Sequence, residues 1–270
     1  MHPGPRVTGT GPFVVSDPHG HRAELLQALR AGGLVDGRGN WSAGDTTLWF
    51  LGDFFDRGPD GVGVVELVMG LQHQAADSGG AVGALLGNHE VLALGMHRFG
   101  EITAEFVSAA TRQVQMMWHQ NGGLVEDQLR LTADHLDWLQ ALPAISLLGD
   151  ELLLHSDTLT YLSYGDSIEQ INASIRTALA GELDQWWECW SRLTHRYDFV
   201  QDDGVAAVRR LTGRLGGTRV VHGHSFIADL VHEEPARVTA PYLYAEGTAL
   251  AVDGGLYAGG PLLLVDLTVL

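Results

Sequence analysis

The sequence predicts an α/β fold, because short apolar runs alternate with amphipathic helical patterns along most of the chain. The apolar runs are bounded by glycine and aspartate, which is typical of strands in sheets that are covered on both faces. The segments between them carry leucine and valine at helical spacing and end at glycine or proline, which indicates helices. We therefore expect helices packed on largely buried sheets.

Seven apolar runs are predicted to be strands. They are FVV before Asp17, TLWFL before Gly52, AVGALL before Gly87, ELLLH ending at His155, RVVHGH ending at His224, and ALAVD and PLLLVDL in the last part of the chain. No internal repeat or low-complexity linker separates these runs. We therefore expect residues 1–270 to form a single domain.

The helical patterns fall into two groups. HRAELLQALRAGG, VVELVMGL and TADHLDWLQALP alternate with the strands, and the last is expected to start at a capping Thr132 and to stop at Pro143. Residues 100–130 and about 165–212 are mostly helical in pattern and are expected to form elaborations that cap a site. The second range carries Trp186, Trp187 and Trp190 at helical spacing, which favours a role in the core over a ligand platform.

Composition excludes some classes of partner. A net charge of -17 argues against extended nucleic-acid binding, which needs a basic surface, and against binding to an anionic membrane surface. The single cysteine, Cys189, allows no internal disulfide and fits a reducing compartment. The first residues, MHPGPRVTGTGP, lack an apolar signal core and no apolar run is long enough to span a bilayer, so a cytoplasmic location is expected.

Five predicted strands end in side chains that can bind metal ions, in the motifs DPH, GDFFDRG, GNHE, LLLH and HGH. Each motif has an ordinary explanation, since GD and GN are common turn dipeptides and a strand-end histidine is often a satisfied core residue. Turn chemistry does not explain why strand after strand ends in a metal-ligand type. Sites in α/β folds form at the carboxyl ends of strands, so we expect these motifs to converge.

The ordered motifs resemble those of the calcineurin-like metallophosphoesterases. Asp-x-His-Gly, Gly-Asp-x-x-Asp-Arg-Gly, Gly-Asn-His-Glu, a strand-end histidine and a late Gly-His follow one another from Asp17 to about Gly260. The intact GDFFDRG and GNHE are similar to the phosphoprotein phosphatase (PPP) branch, in its bacterial form. The resemblance implies a four-layer α/β/β/α sandwich with a two-metal centre at the edge of its two sheets.

The resemblance also implies a role for each residue at the site. Asp17 and His19 would hold the first metal ion and Asp53 would bridge both ions. The second ion would be completed by Asn88, His155 and His224. Arg57 would bind the phosphate, and His89 would act as general acid while Asp56 orients it.

The chemistry of this set is consistent with phosphate hydrolysis. Two divalent cations bring four positive charges against the two carboxylates of Asp17 and Asp53, so the centre stays cationic and attracts a phosphate dianion. A water molecule held by both ions becomes a hydroxide near neutral pH and can attack phosphorus in line. Mixed oxygen and nitrogen ligands accept several metals; manganese is the preferred assignment, with iron, zinc or cobalt open.

The sequence leaves several positions open. Arg192, in a Trp-x-Arg context similar to bacterial members, is the first candidate for a second phosphate-binding arginine, and Arg196 is the alternative. Asp253 begins a D-G-G segment that either resembles a late D-x-G motif near the substrate or forms a tight turn.

Two further positions concern the surroundings of the ligands. His222 is either an indirect support or a direct metal ligand. Ser156 and Asp157 replace the small residues usual beside the metals, and Asp157 either pairs with a ligand histidine or makes the site less favourable for phosphate.

The function expected from these residues is metal-dependent hydrolysis of phosphomonoesters, in phosphorylated proteins (on serine, threonine or tyrosine) or in small phosphoesters. One alternative is nucleotide or dinucleoside polyphosphate hydrolysis. Another is a non-catalytic metal-binding module of the same fold, although a positioned Asp56–His89 pair has no purpose in such a module.

Overall fold

Two β-sheets lie at the centre of the computed structural model, which describes residues 11–101 and 107–269. The strands are β1 (Phe13–Val15), β2 (Thr47–Phe50), β3 (Ala81–Ala84), β4 (Ile145–Leu148), β5 (Glu151–Leu154), β6 (Arg219–His222), β7 (Tyr242–Tyr244), β8 (Ala249–Ala251) and β9 (Leu264–Asp266). The first sheet has the order β3-β2-β1-β9 and the second the order β4-β5-β6-β8-β7. β1, β2 and β3 run parallel, as do β5, β6 and β8, while β9, β4 and β7 pair antiparallel at or near the edges.

The two sheets pack face to face through a small apolar layer. Val14 of β1 and Val265 of β9 meet Leu153, Val221 and Leu250 of the second sheet in one buried cluster. Neighbouring strand residues point the other way, into a larger core shared with the helices. Because β1, β5, β6 and β8 are buried on both faces, their short continuous apolar runs in the sequence are explained.

Helices cover the outer faces of both sheets. They are α1 (Arg22–Ala31), α2 (Gly61–Asp77), α3 (Asn88–Phe99), α4 (Ala109–Gln120), α5 (Val125–Arg130), α6 (Ala133–Ala141), α7 (Ile168–Ala180), α8 (Leu183–Thr194), α9 (Gly204–Leu215) and α10 (Ile227–Val231). α2 packs against β3, whereas α7 packs against β4 and α9 against β6. The predicted α/β fold, with two sheets flanked by helices, is confirmed.

The predicted strands all appear, and the structure adds two that the sequence analysis did not assign, β4 and β7. Thr132 caps α6 as predicted, since its hydroxyl accepts a hydrogen bond from the His135 backbone at 3.3 Å. Helices also occupy the two ranges with helical patterns, although residues 102–106 of the first range lie outside the described residues. The N-terminal segment 1–10, for which no signal core was predicted, also lies outside them.

The tryptophans of α8 belong to the core, as predicted. Trp186 and Trp190 are buried, and the Trp186 indole donates a hydrogen bond to the Val91 carbonyl of α3 at 2.8 Å. Trp186 also packs against Gly95, where a side chain would collide with the indole ring. α8 is thereby joined to the helix that begins with Asn88 and His89.

None of the helices within the described ranges is both long and apolar enough to cross a bilayer.

Candidate metal centre

The carboxyl ends of the parallel strands of both sheets meet at one edge of the sandwich. On the first sheet, the His19 backbone N–H donates to the Asp53 carbonyl at 2.9 Å, which joins the segments after β1 and β2. Between the sheets, the His224 N–H donates to Asp17 Oδ2 at 3.0 Å. The predicted convergence of separate strand ends is therefore present in the structure.

Asp53 occupies the middle of the cluster, and its two carboxylate oxygens face different histidines. Oδ1 is 3.3 Å from His155 Nε2, whereas Oδ2 is 3.6 Å from His19 Nε2 and 3.9 Å from His89 Nε2. Two groups of donors, each with its donor atoms within 4.8 Å of one another, share this residue: His19, Asp53 and His89 form one, and Asp53, His155 and His224 the other. Asp53 is thus the residue common to both groups.

Three histidines each turn one ring nitrogen toward this cluster. His19 Nδ1 donates to the Phe55 carbonyl at 2.8 Å, His155 Nδ1 donates to the Leu51 carbonyl at 2.7 Å, and His224 Nε2 donates to the Thr194 carbonyl at 3.0 Å. A backbone carbonyl can only accept, so each of these nitrogens carries a hydrogen and the second ring nitrogen is the one that faces the cluster. Such backbone bonds orient metal-binding imidazoles.

The remaining predicted ligands border the same cluster. Asn88 Oδ1 is 3.0 Å from His155 Nε2, and Asp17 Oδ1 is 4.0 Å from His19 Nε2. Burial raises the pKa of Asp17 to about 6. The structure thus brings all six residues predicted as metal ligands to one place.

The electrostatics of the cluster favour a cation. Burial would lower the pKa of His155, but the carboxylates of Asp53, Asp17 and Glu90 together raise it to about 10. His155 Nε2 lies 3.3 Å from Asp53 Oδ1 and 3.0 Å from Asn88 Oδ1, so these oxygens attract positive charge, which a bound metal ion would supply.

Asp253, which follows β8, is a second residue whose surroundings suit a metal ion. Its side chain is 2% exposed, and its Oδ1 accepts a hydrogen bond from the Gly255 backbone at 2.8 Å, so the D-G-G segment does form a turn. Its Oδ2 has no partner among the described residues. A buried acceptor left without a donor costs about 1–3 kcal/mol, so an ion or ordered water is expected near it. The residues present therefore fit a divalent metal centre.

His89 differs from the other histidines because both of its ring nitrogens are engaged by polar side chains. Its Nδ1 is 2.6 Å from Asp56 Oδ2, and its Nε2 is 3.1 Å from Arg57 Nη2. An arginine can only donate, so Asp56 accepts from Nδ1 and Nε2 accepts from Arg57. Burial would lower the pKa of His89, but Asp53 and Asp56 raise it overall. The structure therefore brings together the three side chains predicted to be the general acid, its orienting carboxylate and the phosphate-binding arginine.

His222, Asp157 and Ser156, whose roles the sequence left open, each have defined contacts in the structure. His222 uses both ring nitrogens, at 2.9 Å to the Gly223 carbonyl and 2.7 Å to the Tyr244 hydroxyl, so it has no free donor for a metal. Asp157 pairs with no ligand histidine. Its oxygens accept from the Ser225 hydroxyl at 2.5 Å and from the Tyr197 backbone at 3.0 Å. Ser156 contacts the Tyr161 hydroxyl at 3.2 Å.

The two candidate arginines lie in different surroundings. The Arg192 guanidinium donates to Ser163 at 2.7 Å, pairs with Glu188 and lies over the Tyr164 ring, and none of these groups belongs to the cluster. Arg196 lies close enough that its charge lowers the pKa of His224, after burial and His155. The structure therefore does not support Arg192 as a phosphate-binding residue, because its guanidinium is engaged within the helical region.

Glu90 is a supporting residue to which the sequence analysis gave no role. It is fully buried, and its carboxylate accepts hydrogen bonds from the backbones of Asp53 at 2.7 Å, Phe54 at 2.7 Å and Gly87 at 2.8 Å. Burial raises its pKa to about 7. The glutamate at the third position of a helix after a glycine was the available signal, since this residue caps its own helix N-terminus. Here it also fixes the backbone of the bridging Asp53.

The backbone of the site is strained. Six residues of the predicted site have φ in the left-handed region: Asp17 (53°), His19 (39°), Asp53 (58°), Asp56 (68°), Arg57 (70°) and His224 (63°). Such conformations cost about 1–3 kcal/mol each and persist where the surroundings enforce them, most often at functional sites. Gly52 has φ of 99°, and a Cβ there would lie 2.7 Å from the Gly87 nitrogen, so only glycine lets the two loops approach.

Comparison with known proteins identifies the family of the chain. Residues 13–227 match the description of the calcineurin-like phosphoesterases. The chain belongs to that family. Calcineurin-like phosphoesterases hydrolyse phosphoesters with the help of divalent metal ions, so a His- and Asp-rich cluster at the sheet edge is the expected feature of a member.

This calcineurin-like phosphoesterase is similar to several curated proteins, of which three are described. It is 27% identical to the uncharacterized protein C1840.07c of Schizosaccharomyces pombe, over 92% of this chain and 74% of the relative. It is 30% identical to Shewanella-like protein phosphatase 2 of Arabidopsis thaliana, over 29% of this chain and 20% of the relative. It is 34% identical to the symmetrical bis(5'-nucleosyl)-tetraphosphatase of Proteus mirabilis, over 31% of this chain and 26% of the relative. The last two likenesses thus cover only part of each protein.

The fold is also that of a solved structure, a cold-active protein tyrosine phosphatase. The two share a TM-score of 0.71 with 21% identity, over 98% of this chain and 75% of the other. At that identity the likeness establishes the shared fold alone.

The contacts of Glu90 generate a prediction for this phosphoesterase. Glu90→Gln replaces an acceptor oxygen by an amide that cannot accept from the backbone N–H groups, so we expect a loss of about 1–3 kcal/mol of unfolding free energy. We also expect weaker metal binding, because Asp53 loses its support. Denaturant unfolding and metal analysis measure the two effects. The exposed Glu234→Gln is the matched control, and unchanged stability and metal content in Glu90→Gln would contradict this role.

Proposed function

We propose that the protein is a metal-dependent phosphatase that hydrolyses phosphomonoesters, with phosphorylated proteins as the preferred substrate class. The observation that carries the proposal is the Asp56–His89–Arg57 group at the edge of the Asp53 cluster, with Asp56 at 2.6 Å and Arg57 at 3.1 Å from the His89 ring. A simple metal-binding module needs neither the orienting carboxylate nor the guanidinium. Both suit phosphoryl transfer to water, in which a guanidinium can bind the phosphoryl oxygens and an imidazole can protonate the leaving oxygen.

In this proposal metal ions would be held by Asp17, His19 and Asp53 on one side, and by Asp53, Asn88, His155 and His224 on the other. When bound, they supply Lewis acidity toward the phosphoryl oxygens and a nucleophilic solvent molecule at neutral pH. Mixed oxygen and nitrogen donors accept several metals, so manganese is proposed with iron, zinc or cobalt as alternatives.

Arg57 and His89 supply the parts of the reaction that the chain itself performs. The planar guanidinium of Arg57 can grip two phosphate oxygens at once. A phosphate oxygen that accepts from Arg57 Nη2 in place of His89 would leave His89 Nε2 able to take a proton from solvent. The Asp56 carboxylate at Nδ1 favours the protonated ring, so His89 can deliver that proton to the leaving oxygen.

Phosphoproteins are preferred over nucleotides as the substrate class on two grounds. The motifs GDFFDRG and GNHE are similar to those of the PPP branch, and one relative is named a protein phosphatase. A net charge of -17 disfavours highly anionic polyphosphates. The relative named a bis(5'-nucleosyl)-tetraphosphatase supports dinucleoside polyphosphates as the second candidate.

A substrate panel tests the proposal and separates the two candidates. Metal-free protein is reloaded with Mn²⁺, Fe²⁺, Zn²⁺ or Co²⁺ and assayed on phosphoserine, phosphothreonine and phosphotyrosine peptides, p-nitrophenyl phosphate and diadenosine tetraphosphate. We expect the highest kcat/KM on a phosphopeptide. A higher value on diadenosine tetraphosphate would favour the second candidate, and no hydrolysis with any metal by folded protein would favour the binding module.

Replacing His89 tests its role as proton donor. His89→Ala is expected to keep the metal content and to lower kcat for serine phosphate esters by about 10²–10⁴-fold, with a smaller loss on p-nitrophenyl phosphate. The reason is that p-nitrophenolate leaves without protonation. His73→Ala, at an exposed position of α2, is the control. Equal losses on both leaving groups would remove the general-acid role.

The two candidate arginines can be separated by the same assay. Arg196→Ala is expected to raise KM by about tenfold or more, the value of one charge-assisted hydrogen bond. Arg192→Ala is expected to leave KM unchanged, since its guanidinium is held by Ser163 and Glu188. A larger KM effect for Arg192→Ala than for Arg196→Ala would restore the assignment based on the Trp-x-Arg resemblance.

A further inference from the structure

The connection between α4 and α5 lies directly against Arg57. The Arg57 backbone N–H donates to the Gly122 carbonyl at 2.9 Å, and the Arg57 side-chain Nε–H donates to the Asn121 carbonyl at 3.5 Å. Two successive carbonyls thus receive two different groups of one arginine. They leave the terminal nitrogens of Arg57 free to face His19 and His89.

Gly122 permits this approach because it has no side chain. Its φ is +88°, and a Cβ placed there would lie 2.8 Å from Arg57 Cγ and 3.1 Å from the Arg57 nitrogen. Any other residue would therefore be strained in its own backbone and would push Arg57 away. The requirement for glycine comes from Arg57 and not from a turn alone.

α5 holds the chain on the far side of Arg57. Asp127 Oδ2 accepts from the Gly61 N–H at 3.1 Å and Asp127 Oδ1 accepts from the Val62 N–H at 3.2 Å. These are the first backbone groups of α2, which have no partner within their own helix. Arg130 of α5 adds an exposed ion pair to Asp60 at 2.7 Å.

The backbone is strained at Arg57 and at the residue before it. Asp56 and Arg57 have φ of 68° and 70°, in a region that such residues rarely adopt. The Arg57 guanidinium is also stacked 3.9 Å from the centroid of the Tyr257 ring, on the side chain's remaining face. An arginine has many rotamers, and fixing it in one of them before the substrate arrives lowers the cost of binding.

We propose that α4 and α5, acting through Asn121, Gly122 and Asp127, form a positioning element that sets the Arg57 guanidinium at the metal centre. The inference rests on the proposed role of Arg57 in binding the phosphoryl group. Asn121, Gly122 and Asp127 touch no reacting atom in this account. The helical elaboration after α3 therefore serves phosphate recognition from behind the site.

A double-mutant cycle tests the positioning element. Gly122→Ala is expected to lower kcat/KM for p-nitrophenyl phosphate by about 10²-fold, because a shift of about 1 Å in a positioned group has that effect. It is expected to raise the inhibition constant of inorganic phosphate and to leave the metal content unchanged. In an Arg57→Ala background, Gly122→Ala is expected to have no further effect. Losses that add in the double variant would overturn the proposal.

A second pair of variants tests the proposal if Gly122→Ala does not fold. Asp127→Asn removes one of two acceptors at the start of α2, while Glu126→Gln removes a neighbouring exposed charge on the same helix. We expect Asp127→Asn to weaken phosphate inhibition about tenfold at unchanged metal content, and Glu126→Gln to behave as the unaltered protein. Equal behaviour of the two variants would contradict a positioning role for Asp127.

The double-mutant cycle can also be measured on phosphate binding, without catalysis. Calorimetric titration of the metal-loaded protein with inorganic phosphate measures binding alone. Coupled effects of Gly122 and Arg57 on this affinity, in a protein that hydrolyses none of the panel, would sustain the positioning element and contradict the proposed function. Independent effects in an active phosphatase would do the reverse.

Discussion

The position of the Asp53 carboxylate is the constraint on which the site depends. One carboxylate can serve two ions only if its oxygens face opposite halves of the cluster, as Oδ1 does toward His155 and Oδ2 toward His19. That orientation requires a left-handed backbone at Asp53, with φ of 58°. The backbone is held there by the buried carboxylate of Glu90. A substitution of Asp53 or Glu90 is therefore expected to alter both donor groups of the cluster.

Much of the surrounding structure supports this strained centre. The carbonyl of Thr194, at the end of α8, orients His224 through a hydrogen bond at 3.0 Å, so α8 directly contacts the candidate metal cluster. The α4–α5 connection supports Arg57 in a comparable way, through the Gly122 carbonyl. Elements that look like additions to an α/β core in the sequence are thus in contact with the residues that would do the chemistry.

The sequence predicted most of the strands, because burial restricts the residues within them. The six clustered residues were assigned as ligands from the resemblance of the ordered motifs to the calcineurin-like phosphoesterases, and the structure brings these residues together. β4 and β7 escaped prediction since they are short antiparallel edge strands with mixed exposure. The choice between Arg192 and Arg196 depends on the end of α8, which no periodicity fixes. The partners of Asp157, on Ser225 and Tyr197, come from distant parts of the chain and become visible only in the fold.

Metal stoichiometry of single-site variants tests the central claim most directly. Elemental analysis after gel filtration in the presence of Mn²⁺ should find two ions per chain in the unaltered protein, one in His224→Ala, and none in Asp53→Ala, because Asp53 is the one residue, among those the structure describes, that belongs to both donor groups. Retention of an ion by folded Asp53→Ala, at the level found in His224→Ala, would contradict a bridging carboxylate and with it the proposed dinuclear centre.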